Sequence, residues 1–123
     1  IRDFTYVGDT ARAIILAGIE KQSVGETINV GTGVGVSIRQ LALQQATILG
    51  RKVAIRIDKK RLRPYDVGKL ICDSSKARRI LNWRPTTSLE EGLTITIDWL
   101  KNHPIGYKTP FRGWPSVYRS SGS

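Results

Sequence analysis

Along residues 1–103, short β-branched runs alternate with segments whose apolar residues recur at helical spacing, and glycine or proline marks most of the changes. No other feature constrains the fold as much. A period of 2 and a period of 3.6 bury different faces, so the two kinds of segment cannot trade conformations. The pattern predicts an α/β chain, α+β-like in layout, with about four helices and a few short strands.

Residues 3–7 read as a short strand ending at Gly8-Asp9. Asp9 or Thr10 then caps a helix to about Lys21, with Ala11, Ile14, Ile15, Ala17, Gly18 and Ile19 as its apolar face. Thr27 to Val30 reads as a strand. Ser37 caps a helix over 38–49 with Ile38, Leu41, Ala42, Ala46 and Leu49 inward, and Gly50 closes it. Val53, Ile55 and Ile57 alternate with Ala54, Arg56 and Asp58, which predicts a half-buried strand. Residues 67–72 read as an extended segment. Asp73 or Ser74 caps a helix over 75–81, with Trp83 behind it. Ser88-Leu89-Glu90-Glu91 has capping-box spacing. It opens a helix to about Asn102, with Leu89, Leu93, Ile97 and Leu100 on one face, and His103-Pro104 stops it. The expected division is a domain over 1–103 and a tail over 104–123 rich in proline, glycine and aromatics.

The chain has 123 residues, enough for one domain with a core. Its net charge of +10 favours phosphorylated or polyanionic partners. The charge is scattered apart from a cluster at 59–63, whereas a nucleic-acid binder shows a continuous basic stripe, so nucleic acid is not the expected partner. The tail interleaves Tyr107, Phe111, Trp114 and Tyr118 with Lys108, Arg112 and Arg119, a pattern expected to fold back on the domain or to meet a partner chain. Cys72 is the only cysteine, expected as a small buried hydrophobe. A single cysteine excludes an internal disulfide and suits a reducing, cytoplasmic setting. No apolar run reaches the roughly 18 residues of a membrane span. With no methionine, the chain is expected to be trimmed or cut from something longer. His103 is the only histidine, so no metal site or histidine-based triad is expected.

Three constellations bear on chemistry. Gly31-x-Gly33-x-Gly35, between a strand and a helix and followed by Asp58, approaches a dinucleotide fingerprint. Val36 stands where its third glycine belongs, so it reads as a capped turn. Tyr65-x-x-x-Lys69 has the spacing of an acid-base pair on a helix, but Gly68 weakens that helix. Arg2 with Asp3, and Arg63 with Asp66, bring guanidinium and carboxylate groups close together in the basic turn 59–67 and in the opening segment. A guanidinium binds phosphate oxygens bidentately, and an aspartate nearby accepts from ribose hydroxyls or orients the arginine. The alternative is two surface ion pairs of little energetic consequence. On chemistry alone both readings stay open.

In order, the segments RDFTYVGD, GETINVGTGVGVSIRQLA, RLRPYDVGKLICDSSKARRILNWRPTTSLEEGLTITIDWL and HPIGY resemble the C-terminal, substrate-binding part of NAD-dependent nucleotide-sugar epimerases and dehydratases, which are extended short-chain dehydrogenases. The resemblance covers about residues 1–107. It implies that Arg2 and Arg63 contact the diphosphate of a UDP-, dTDP- or GDP-linked sugar. It also implies that Asp66 serves the ribose or orients an arginine, and that Asn29 and Ser37 are structural. The family often has an acid where Gly8 stands, and some members have a longer loop between Pro64 and Val67. The family's glycine-rich NAD loop, catalytic Ser/Thr and Tyr-Lys pair belong to its other half. The resemblance therefore implies no catalytic residue and no cofactor site in this chain, with NAD a cofactor of a full-length member. The expectation is a nucleotide-sugar binding domain that is not catalytic alone and forms a homo-oligomer through an uncovered apolar surface. The alternatives are an excerpt of an intact epimerase or dehydratase, or an interaction module that reuses the cleft.

Overall fold

The computed structural model describes residues 1–58 and 67–103. In chain order the elements are β1 (Arg2–Asp3), α1 (Val7–Ile19), a 3-10 turn (Lys21–Ser23), β2 (Gly35–Val36), α2 (Ile38–Ile48), α3 (Ser75–Leu81) and α4 (Leu89–Asn102). Strands β1 and β2 pair antiparallel, Arg2 opposite Val36 and Asp3 opposite Gly35. On its other side β1 meets the extended segment 67–72 in a parallel bridge between Arg2 and Leu70. Among the described residues, four helices and very short strands make a mostly helical α/β unit, as the patterning predicts.

The helices whose ends are set locally fall close to expectation. The Ser37 hydroxyl accepts from Gln40 N, and the Gln40 side chain returns to the Ser37 amide, a complete capping box. Ser88 accepts from Glu91 N at the head of α4. Helix α3 follows Ser74, though it is Asp73 that accepts from Ser75 N; Asn82 ends α3 at φ 47°, a left-handed position that asparagine tolerates. Within α2, Ala46 is buried and Leu41 and Ala42 are half-buried, but Ile38 and Leu49 are exposed rather than inward.

The core is small. Ala13 of α1 packs with Ala77 and Leu81 of α3 and with Trp83, which is wholly buried; Leu16, Ala17, Ile28, Val30 and Ile80 surround them. Helix α2 packs on α4 as a second helix pair.

Four expectations are corrected. The opening strand is confined to Arg2–Asp3, and α1 begins at Val7, so Asp9 lies inside the helix and is not its cap. Residues Thr27 to Val30 form no strand: Ile28 and Val30 do turn toward the core, but no neighbour among the described residues supplies a ladder. Residues 53–57 are exposed and unpaired as a strand among the described residues, because no layer among those residues covers the apolar face their alternation offers.

The fourth correction concerns the direction of α1. Its buried face holds Asp9 and Ala13, with Leu16 and Ala17 partly covered. Its outward stripe is Val7, Gly8, Ala11, Ile14, Ile15, Gly18 and Ile19, which carries no charge. The four large residues of that stripe are 64% to 73% exposed. The helix thus keeps an acid inside and most of its bulky aliphatic residues outside.

Candidate functional site

A cleft of about 380 Å³ opens where β1, the segment 29–31 and the segment 70–73 meet. Arg2, Asp3, Thr5, Asn29, Cys72 and Asp73 supply its polar groups. The pairing β2–β1–Leu70 explains why these residues converge, since β1 lies between two segments remote in sequence.

Arg2 and Asp3 do not act as a pair. Successive residues of an extended strand point to opposite faces. From one of them, Arg2 Nη1 donates to the carbonyls of Ile1 at 2.9 Å and Val67 at 2.6 Å. Holding one end of a planar guanidinium fixes the plane of the whole group. Asp3 is instead a clamp. Its Oδ1 accepts from Thr32 N at 3.0 Å and from the Thr32 hydroxyl, and its Oδ2 accepts from Gly33 N at 2.8 Å and Cys72 N at 3.2 Å. Burial pushes the Asp3 carboxyl up, but the Thr32 hydroxyl and the amides of Gly33, Thr32 and Cys72 outweigh it and hold the group below its ordinary value.

This arrangement accounts for the glycine-rich turn. The amides that a pyrophosphate would use at such a turn are given to Asp3. Gly33 takes φ +76°, a left-handed conformation that glycine adopts freely. A Cβ on Gly31 would run into the Cys72 side chain and come within 2.9 Å of Asp3 Oδ2. Gly31 and Gly33 thus serve an internal carboxylate, whereas Gly35 makes room for the Ile71 and Ile1 side chains.

A second carboxylate clamp lies away from the cleft. Asp9 is 3% exposed. It accepts from the Thr86 hydroxyl at 2.8 Å, Thr86 N at 3.1 Å, Thr87 N at 2.9 Å and Arg12 Nη2 at 2.8 Å. Its own carbonyl accepts from Trp83 Nε1 at 2.9 Å. Burial alone would raise this carboxyl, but the Thr86 hydroxyl, the Thr87 and Thr86 amides and Arg12 bring it down to about 2. The sequence reading missed this network. Its one signal was Arg12 three positions after Asp9 in an otherwise apolar helix.

Arg63 and Asp66 lie outside the described residues, as do the cluster 59–63, Tyr65 and the tail 104–123. Lys69 is exposed and outside any helix. Cys72 is half-buried and lines the cleft, rather than being a core residue. Burial and the nearby Asp3 and Asp73 carboxylates push its thiol up, away from reactivity. Among the described residues no group of three or more His, Cys, Asp or Glu is placed to hold a metal ion. No helix among them is long and apolar enough to cross a membrane.

A family model described as GDP-mannose 4,6 dehydratase matches residues 1–96. The chain is 35% identical to a UDP-glucose 4-epimerase of Caenorhabditis elegans over 111 residues, covering 87% of this chain and 31% of that protein. It is 37% identical over 103 residues to a UDP-glucuronate 4-epimerase of Thermodesulfobacterium geofontis, covering 83% and 31%. Its fold matches the crystal structure of Thermotoga maritima UDP-glucose 4-epimerase with UDP-glucose at a TM-score of 0.75 and 36% identity, covering 84% of this chain and 32% of that one. It also matches the Bordetella bronchiseptica enzyme WbmF in complex with NAD+ and UDP, at a TM-score of 0.65 and 31% identity, covering 84% and 29%. The chain belongs to the NAD-dependent nucleotide-sugar epimerase/dehydratase family of extended short-chain dehydrogenases. It spans about a third of the length of these relatives.

Proposed function

We propose that this chain, as a domain over 1–103 with a tail over 104–123, binds the nucleotide-diphosphate part of a UDP-, dTDP- or GDP-linked sugar. Arg2 and Arg63 meet the diphosphate, and Asp66 meets the ribose or orients an arginine. The observation that carries this reading is the hydrogen bond from Arg2 to the Val67 carbonyl. Val67 directly follows Asp66 and lies four positions from Arg63 in sequence, and the bond joins it to an arginine that lines the cleft. The family membership and the relatives solved with UDP-glucose and with UDP support the same ligand class.

In this proposal the chain is not catalytic alone, and NAD and the hydride chemistry belong to the portion of its relatives that it does not span. Calorimetry of the chain with UDP-glucose, dTDP-glucose and GDP-mannose tests it. Heat with at least one, weakened about tenfold or more in Arg63→Ala, is the expected result, since a bidentate charged contact is worth at least ~1.4 kcal/mol. Silence with all three removes the reading.

The proposal extends to self-association in a cytoplasmic setting. Its support is the outward stripe of α1, seven residues without a charge on a chain of net charge +10. A charge-free apolar surface is where a like-charged copy meets least repulsion and buries most apolar area. Light scattering on a sizing column reads it, and a monomer at high concentration rejects it.

A further inference from the structure

Residues 51–58 run without helix, turn or bend, and every one of them is exposed. Arg51 N donates to Ala46 O at 2.9 Å, which ties the start of the segment to the end of α2. Beyond that bond, among the described residues, no backbone partner meets residues 52–57. An extended, exposed segment with its ladder positions open is a template for another strand.

Its side chains divide into two faces. Val53, Ile55 and Ile57 stand on one, at 50%, 43% and 75% exposure. Lys52, Ala54, Arg56 and Asp58 stand on the other. This pattern fits its own copy. In an antiparallel pair, directly opposite side chains share a face, and a two-fold axis makes the pairing self-complementary. An axis at Ile55 sets Ile55 against its copy, Val53 against Ile57, and Lys52 against Asp58 at both ends. An axis at Ala54 would set Lys52 against Arg56, and an axis at Arg56 would set that arginine against itself. An axis between residues would bring apolar side chains opposite polar ones. Opposite charges across a ladder stabilise it and like charges destabilise it, so the register centred on Ile55 is the one that both faces favour.

We propose that residues 52–58 form an edge strand that pairs antiparallel with the same segment of a second copy, about a two-fold axis at Ile55. This contact uses none of the α1 stripe, so either contact can hold without the other. The net charge of +10 opposes it little at physiological salt, where charges more than about 8 Å apart are largely screened and the charges facing across the ladder are complementary. A two-stranded ladder is marginal in water by itself, so the association is weak and depends on concentration.

The test uses variants of the full chain. Ile55→Lys places like charges at the axis and removes the central apolar pair. It should raise the dissociation constant from sedimentation equilibrium about tenfold, and by the same factor in a chain that also carries Ile15→Glu. Its thermal midpoint should stay unchanged, because the position is exposed. Lys52→Glu and Asp58→Lys each set like charges opposite one another, so each alone should self-associate more weakly. Mixed together, they regain opposite charges at both ends, and native mass spectrometry should find more mixed dimer than random pairing gives. This mixing experiment carries the test if Ile55→Lys does not fold. Random pairing overturns the ladder. So does a dissociation constant for Ile55→Lys within about twofold of the unaltered chain's. If Ile15→Glu still weakens association in that case, the α1 reading stands without the ladder. A monomer at every concentration sinks both contacts.

Discussion

Asp3 and Asp9 accept nearly the same set of donors in two different regions. Each takes a threonine amide, the hydroxyl of that threonine and the amide of the next residue; Asp3 adds Cys72 N, and Asp9 adds the Arg12 guanidinium. Their surroundings separate them. Asp9 is buried under Trp83, where an unmet donor has no water to turn to, so its network supports stability. Asp3 is half-buried at the rim of a cleft, where water softens any loss and the network chiefly sets direction. The same local chemistry therefore contributes folding energy in one place and geometry in the other.

The comparison breaks first at Asp9. Asp9→Ala leaves the Thr86 and Thr87 amides and Arg12 without their acceptor, and should cost about 3 kcal/mol in urea unfolding. A loss below ~1 kcal/mol would place the two clamps in the same energetic class.

Acid sharpens the contrast next. A carboxyl whose folded pKa lies near 2 against an ordinary 3.8 adds about 2 kcal/mol of stability. That contribution is complete above 3.8 and is lost as pH falls through 2. Asp3, also lowered, contributes with the same sign. Unfolding followed between pH 5 and pH 1.5 should show the loss, and Asp9→Asn should flatten most of it.

Asp3→Asn should come third in stability, at about 1 kcal/mol. A larger stability loss than at Asp9 would invert the assignment.

The smallest folding effect is expected on the outward stripe of α1. Ile15→Glu should change stability by less than ~0.5 kcal/mol, because that position is exposed already. It should nonetheless reduce self-association on a sizing column. Precipitation or unfolding of this variant would show that the stripe is covered within the domain after all.

Legibility in the sequence followed the range of the interactions. Ser37 and Gly50 placed α2, and Ser88 with Glu91 placed α4, because each capping bond joins residues three apart. The strands at 27–30 and 53–57 were misread, because alternation states a preference and a ladder needs a neighbour. Asp3 was assigned to its neighbour Arg2, whereas its carboxylate belongs to Thr32, Gly33 and Cys72.

Sequence alone determined α2, α3 and α4 of this protein, the caps of α2 and α4, and the family to which its ordered motifs point, since these depend on residues within a turn or two of one another. Tertiary structure alone decided which face of α1 is covered, which extended segments pair, and that one aspartate braces a cleft while another braces the core. Those outcomes depend on donors up to 78 residues away, and a carboxylate carries no mark of which distant amide will reach it.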